Sequence, residues 1–167
     1  EIQDRLFPKS APALPGYDLA GGSFPADEAG GDYYDYLPML DEGWGIVVAD
    51  VSGHGMGPAL IMAETRAYLR IVALNRQLPS EALVRANRVL ADDLGDTDRY
   101  VTLLFVRLDA GRRQLTYSNA GHPPGYILDA EGRLKTRLTR TARALGMLPD
   151  TTYTDAAPLS LEPGALV

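Results

Sequence analysis

Two strand patterns joined by a tight turn open the regular part of the chain. Residues 32–40 are rich in aromatic side chains, and their apolar and polar positions alternate loosely. Residues 44–51 contain the apolar run 46–49, which Asp50 follows directly. Both patterns favour β-strands, and Asp41-Glu42-Gly43 between them is typical of a hairpin turn. If the strands pair antiparallel, Asp32 at the start of one lies near Asp50 at the end of the other.

Weaker patterns precede this hairpin. Residues 17–24 predict a first strand, although Gly21-Gly22 interrupts it. Residues 1–8 carry apolar side chains at a spacing that predicts the last turns of a helix, which ends before Pro8.

A helical pattern follows in residues 56–76. Apolar side chains recur at steps of three and four and predict the face that packs against the protein: Met56, Leu60, Ala63, Ala67, Ile71 and Leu74, widened by Ile61, Met62, Leu69 and Val72. The charged side chains are expected to face water: Glu64, Arg66, Arg70 and Arg76. A second helix is predicted from Pro79, with Ser80 as its N-cap and Gly95 just past its end.

The second half of the chain predicts strands. They cover residues 100–109, 114–119, 124–129, 133–139 and, more weakly, 151–161, with one more beginning at 166. Because the strands do not alternate with helices, the order of elements argues against a doubly wound parallel sheet. The sequence therefore predicts an α+β fold, in which a helical pair packs on antiparallel sheet.

Composition narrows the classes of function. A chain of 167 residues is expected to form one domain, and the absence of cysteine excludes disulfides and thiolate metal sites. The net charge of −6 and the pI of about 4.8 argue against a nucleic-acid-binding surface. No apolar run approaches the roughly 20 residues of a membrane span, and no signal peptide is visible. We expect a cytoplasmic domain without membrane contact.

Asp32 and Asp50 are the candidate chemical groups. Hard cations such as Mg²⁺ and Mn²⁺ prefer carboxylate, carbonyl and water oxygens. Glycines surround both aspartates, at positions 30, 31, 53, 55 and 57, and leave room for water on a bound metal. The pattern equally allows Asp32 and Asp35 to do no more than cap a turn.

A nucleotide-binding loop is a competing interpretation of residues 53–57. The stretch Gly53-His54-Gly55-Met56-Gly57 lies between a strand and a helix, as phosphate-binding loops do. However, Pro58-Ala59 stands where a Walker-type loop needs lysine and then Ser or Thr. A dinucleotide fold also needs a parallel second strand after the first helix, whereas a second helix follows here.

The residues alone leave the roles of three further features open. His54 and His122 each lie beside glycine, which suits either acid–base or phosphate contacts or a turn residue with a satisfied hydrogen bond. The basic stretch 133–143 is either a solvated strand face or a contact surface for an anionic partner.

Five motifs together resemble the SpoIIE/RsbU-like branch of the PPM metal-dependent protein phosphatases. In order, they are Gly30–Asp35, Asp50–Gly55, Val101–Leu103, Asn119–Pro124 and Leu145-Gly146. The resemblance covers nearly the whole chain and implies an α/β-β/α sandwich, with two antiparallel sheets flanked by antiparallel helix pairs. It also implies that residues 1–8 end a linker or signalling helix and that residues 9–167 belong to the phosphatase domain.

The resemblance further implies hydrolysis of protein phosphoserine or phosphothreonine by water activated on two Mn²⁺ or Mg²⁺ ions. Asp32 and Asp50 become catalytic metal ligands, and the carbonyl of Val51 becomes another. Further candidates for contacts with phosphate or around the metal ligands are Asp35, Ser52, Gly53, His54 and His122.

The implied partners are a phosphorylated regulatory protein of the anti-anti-sigma (STAS) type and an upstream sensor domain, and a homodimer is allowed. Family members continue past the Pro163-Gly164 turn into a strand that ends in Thr-Asp-Gly and supply a later aspartate, both of which bind metal. The domain is therefore predicted to be incomplete at its C-terminus, with weak metal binding and little activity as an isolated chain. The alternative is a catalytically inactive regulatory or binding module on the same fold.

Overall fold

A five-stranded antiparallel sheet forms the middle layer of the fold. The computed structural model describes residues 3–24, 29–40, 43–74, 78–95 and 97–167. In chain order the strands are β1 (Tyr33–Pro38), β2 (Trp44–Val51), β3 (Val101–Asp109), β4 (Gln114–Ala120), β5 (Gly125–Leu128), β6 (Leu134–Leu138) and β7 (Leu159–Ser160). The large sheet has the order β1-β2-β3-β4-β7, and β5 and β6 form a second sheet. The predicted α+β fold with antiparallel sheets is confirmed.

Two helices cover one face of the large sheet. They are α1 (Met56–Ala73) and α2 (Pro79–Leu94). The main core lies between these helices and the alternate strand residues that point toward them, such as Val47, Val51 and Phe105. Gly45 lies where a Cβ would come within 2.8 Å of the Phe105 ring, so it gives that ring its space.

The second sheet covers part of the opposite face. Leu104, Val106 and Tyr117 of the large sheet form a smaller core with Ile127 and Leu138 of the hairpin. Toward β1 and β2 this face is more open, since Val48 is 43% exposed. The described residues therefore form three layers, a helical pair, a large sheet and a small sheet, and the candidate carboxylates lie on the side of the small sheet.

The predicted inner face of α1 is wrong for its main stripe and confirmed for Met62, Leu69 and Val72, which are buried. Most of the predicted stripe is exposed, by 59–68% for Met56, Leu60, Ile71 and Leu74. A second stripe packs inward instead: Pro58, Ala59, Met62, Thr65, Leu69, Val72 and Ala73. This stripe also follows helical spacing, but Thr65 and the flanking arginines make it look less apolar. Met56 is accordingly exposed, whereas Met62 belongs to the core.

Several predicted element details also differ. Residues 17–24 form no strand; only an isolated bridge joins Leu14 to Tyr17. Gly21 instead lies against the rings of β1, because a Cβ there would approach Tyr34 to 2.7 Å. Of residues 151–161, only the two residues of β7 form strand. Leu166 makes a single bridge to β5.

The start of α2 is also corrected. Leu78, not Ser80, occupies the N-cap position, and its backbone N–H donates to the carboxylate of Glu81. Ser80 lies inside the helix and donates its backbone N–H and its hydroxyl to Asp155. Gly95 follows the helix with a positive φ of 46°, as predicted. The predicted turn residues 41–42 and Arg76 lie outside the described residues.

Within the described ranges, no helix has the length and apolar character that crossing a membrane requires.

Candidate functional site

Asp32 and Asp50 meet at one end of the large sheet. β1 and β2 pair antiparallel with Tyr33 opposite Ala49, so the register continues to Asp32 opposite Asp50. Both side chains are exposed on the face away from the helices. Burial raises the pKa of Asp50, and the charge of Asp32 and a hydrogen bond with it raise that pKa further. The pair is therefore a concentrated negative charge that a cation would neutralise.

Thr102 and His122 extend the site along the sheet. Thr102 lies opposite Asp50 in the β2–β3 register, and its Oγ1 is 2.9 Å from Nδ1 of His122. The backbone N–H of His122 donates to Oδ1 of Asn119 at 2.8 Å, which fixes the turn after β4. Burial lowers the pKa of His122, while the negative charge of Asp32 acts in the opposite direction. His122 is thus an oriented imidazole beside the carboxylates, and its burial favours the neutral form.

The backbone carbonyl of Val51 lies beside Gly31, which has no side chain to cover it. Gly31 is buried opposite Val51, whose N–H donates to the Gly31 carbonyl at 3.3 Å. A Cβ on Gly31 would lie 2.6 Å from the Val51 carbonyl oxygen. Any side chain at position 31 would therefore push the Gly31 loop away from β2 and cover this oxygen.

These groups fit part of a hard-cation site. Two carboxylates and a carbonyl are the oxygen donors that Mg²⁺ and Mn²⁺ prefer. Within the described part of the chain, no three side chains of His, Cys, Asp or Glu form a group that could hold a metal ion. The described residues therefore supply one wall of such a site.

Comparison with known families decides what kind of domain this is. Residues 40–167 match the family described as Stage II sporulation protein E (SpoIIE). The chain belongs to the SpoIIE family. The match includes Asp50, the glycine turn after it and the His122 turn.

Individual relatives agree with this family. The chain is 30% identical over its whole length to Protein IcfG from Synechocystis and covers 30% of that protein. It is 28% identical over 91% of its length to Phosphoserine phosphatase RsbU from Bacillus subtilis, and covers 45% of RsbU. The chain therefore spans less than half the length of these two curated relatives.

A solved structure shows the same fold. The SiaA-PP2C domain of Pseudomonas aeruginosa superposes with a TM-score of 0.71 at 30% identity, covering 84% of this chain and 55% of the solved one. The likeness confirms the PP2C-type architecture that the sequence motifs imply.

A glutamine from the N-terminal segment holds the Asp32 loop in this SpoIIE-family domain. Gln3, in a 3₁₀ turn over Gln3–Arg5, donates Nε2–H to the Gly30 carbonyl at 2.6 Å. The Gly30 N–H donates back to Gln3 Oε1 at 3.2 Å. This paired contact lies two residues before Asp32. No local sequence pattern links positions 3 and 30, so this contact could not be predicted from the sequence.

The turn after β2 is held by the two residues that precede β3, Arg99 and Tyr100. Ser52 N–H donates to the Tyr100 carbonyl, and Tyr100 N–H donates to Ser52 Oγ. Arg99 donates to the Ser52 carbonyl at 2.9 Å and lies against Gly53, where a Cβ would approach its guanidinium to 2.6 Å. His54 is exposed. Arg99 was missed, although continuing the β2–β3 register would place it opposite Gly53.

Asp35 does not join this site. It lies on the opposite face of β1, is fully buried, and accepts two hydrogen bonds from Arg70 at 2.7 Å each. Tyr33 Oη and the N–H of Tyr36 also donate to it, at 2.7 and 2.9 Å. The prediction that Asp35 contacts phosphate or surrounds the metal ligands is therefore corrected. Its hydrogen-bond partners lie on the helix side of the sheet.

Proposed function

We propose that this SpoIIE-family domain hydrolyses phosphoserine or phosphothreonine on a protein substrate, using divalent metal ions. The meeting of Asp32 and Asp50 on the open end of the sheet carries the proposal. Both side chains are exposed, and the negative charge of Asp32 contributes to the raised pKa of Asp50, as expected of two carboxylates whose repulsion a cation would relieve. RsbU, a relative named as a phosphoserine phosphatase, supports the reaction class.

In this proposal Asp32, Asp50 and the Val51 carbonyl hold Mn²⁺ or Mg²⁺. Bound ions supply an acidified water nucleophile and neutralise charge on the phosphoryl group. Gly31 keeps the carbonyl accessible, and Thr102 orients His122 beside the carboxylates. His122 can then exchange a proton or donate a hydrogen bond at the edge of the site.

The proposed substrate is a phosphorylated regulatory protein of the anti-anti-sigma (STAS) type in the cytoplasm, and an upstream sensor domain is proposed to control the reaction. Residues 1–8 are proposed to end the linker from that sensor. The paired hydrogen bonds of Gln3 to Gly30 support this arrangement, because they connect the entry segment to the Asp32 loop. A homodimer is compatible with the proposal.

A second candidate is a non-catalytic regulatory module. The specific observation in its favour is that the described residues offer no group of three metal-ligating side chains. A two-carboxylate wall binds cations weakly compared with a closed site. The two candidate functions differ in one measurable property, because only the phosphatase is expected to hydrolyse a phosphate ester.

Hydrolysis by the full-length protein separates them. We expect Mn²⁺-dependent release of phosphate from a phosphoserine peptide and from p-nitrophenyl phosphate, both lost when EDTA removes the metal. Turnover that survives EDTA would contradict the metal mechanism. No turnover with Mn²⁺ or Mg²⁺ on either compound would favour the non-catalytic module.

Replacing Gln3 with Ala is expected to weaken Mn²⁺ binding by about tenfold, the usual scale for groups that hold a metal ligand in place. The reason is that Gly30 loses both hydrogen bonds that fix the loop before Asp32. Calorimetric titration of the full-length protein measures the affinity. The control is Lys9→Ala, an exposed change in the same segment. Equal affinities in Gln3→Ala and the parent protein would refute the positioning role.

A further inference from the structure

The stretch 133–143 is a concentrated positive surface on an acidic domain. It contains five Lys and Arg residues and no Asp or Glu, in a chain of net charge −6. Arg133 is neutralised, because it forms ion pairs with Asp129 and Glu131 at 2.8 Å each. The other four cations are exposed and form no ion pair within the described residues. We call them the basic strip: Lys135, Arg137, Arg140 and Arg143.

The first half of the basic strip lies on an unpaired strand edge. In the described structure β6 pairs only with β5. Lys135 and Arg137 alternate with the inward Leu138, so they share the outer face of the hairpin. The Arg137 guanidinium lies 6.0 Å from the centroid of the Tyr126 ring, which holds it on this face. Backbone donors and acceptors along the edge are thus flanked by positive charge.

The second half of the basic strip approaches the candidate site. After β6 the backbone N–H groups of Thr141 and Ala142 both donate to the Asn119 carbonyl, at 2.9 and 3.0 Å. The side chain of the same Asn119 accepts the N–H of His122 and donates to the Leu138 carbonyl. Asn119 therefore joins the strand that carries the basic strip to the turn that carries His122.

We propose that the basic strip is a docking surface for an extended acidic segment of the phosphoprotein substrate, which adds along the edge of β6. This inference rests on the proposed phosphatase function and adds a substrate preference to it. An unpaired edge can take a peptide strand through backbone hydrogen bonds, and four unpaired cations select one that carries Asp and Glu. A peptide partner is favoured over nucleic acid because the rest of the domain is acidic and would repel a polyanion.

Two fluorescein-labelled phosphoserine peptides test the inference with the full-length protein. One carries Asp and Glu around the phosphoserine, and the other carries Asn and Gln at the same positions. Fluorescence anisotropy gives Kd, and phosphate release gives KM and kcat. The charge-reversal variant is Arg137→Glu with Arg140→Glu. The matched control is Arg88→Glu with Arg112→Glu, which changes the net charge equally at exposed positions on α2 and on the β3–β4 turn.

The parent protein is expected to prefer the acidic peptide, with lower Kd and KM than for the neutral peptide. This preference should fall about tenfold in the charge-reversal variant and persist in the control. The preference also falls at about 1 M salt, where the Debye length is about 3 Å. An unchanged preference in the charge-reversal variant would overturn the inference. Tighter binding of a labelled single-stranded DNA than of the acidic peptide, lost in that variant, would replace the protein partner with nucleic acid.

The proposed function and the docking surface fail separately. Absence of p-nitrophenyl phosphate hydrolysis by the parent protein counts against the phosphatase function, while the anisotropy measurement still reports on the basic strip. Normal hydrolysis with equal affinity for the two peptides counts against the basic strip alone. Circular dichroism of both double variants verifies that each one is folded before the comparison.

Discussion

Asp50→Asn is expected to lower phosphatase turnover of the full-length protein by roughly a thousandfold, or about 4 kcal/mol of transition-state stabilisation. The amide is neutral and weakens the attraction for a divalent ion at the end of β2. The fold should survive, because Asp50 is exposed and loses only its like-charged contact with Asp32. Phosphate release from a phosphoserine peptide in Mn²⁺ measures the effect.

The control for this prediction is Asp92→Asn, which removes an exposed carboxylate from α2. It makes the same chemical change on the helical layer, on the face of the sheet opposite Asp32 and Asp50. Calorimetry should show weaker Mn²⁺ binding in Asp50→Asn and parent-like binding in Asp92→Asn. Parent-like turnover of Asp50→Asn would remove Asp50 from the reaction and with it the main support for the proposed function.

Asp35→Ala is expected to lower the free energy of unfolding by about 3 kcal/mol. The carboxylate is fully buried and accepts hydrogen bonds from Arg70, Tyr33 and the Tyr36 backbone. Burial and the nearby Asp35 raise the pKa of Tyr33 well above its usual range, so its hydroxyl is a permanent donor that would lose its acceptor. Arg70 is 41% exposed at its side chain and can turn to water, which limits the loss.

Urea denaturation measures this change, and Asp109→Ala is the matched control. Asp109 pairs with Arg112 at 3.8 Å on the surface, where an ion pair contributes below about 1 kcal/mol. Arg70→Ala should also lower stability, because it leaves the buried Asp35 with only the more distant Arg66, whose Nε lies 4.0 Å away. If Asp35→Ala reduced turnover while keeping parent stability, Asp35 would act in the site and its structural role would be wrong.

The hairpin of β1 and β2 was predictable because its signals are local. An apolar run, a turn and a second alternating run lie within 20 residues, and antiparallel pairing then fixes which residues face each other. That is enough to place Asp32 opposite Asp50, as the register confirms. The predicted strand over residues 17–24 does not form, and Gly21 packs instead against the rings of Tyr34 and Tyr36 in β1, a contact that no local pattern contains.

Only part of the buried face of α1, namely Met62, Leu69 and Val72, was predicted from its sequence. The helix carries two stripes at helical spacing, and the more apolar stripe is the exposed one. The inner stripe includes Thr65, and Arg70 from the same helix reaches the buried Asp35 of β1. The need to neutralise that carboxylate is visible only once β1 and α1 are packed together.

The sequence by itself determined the fold class, the family and the pair of carboxylates, because each depends on short-range patterns and on motif order. The tertiary structure decided which groups surround that pair. It placed Asp35 on the helix side, brought Thr102 and His122 beside Asp50, and joined Gln3 to the loop before Asp32. These contacts join residues far apart in the chain, so they depend on strand register and on layer packing, which no local pattern specifies.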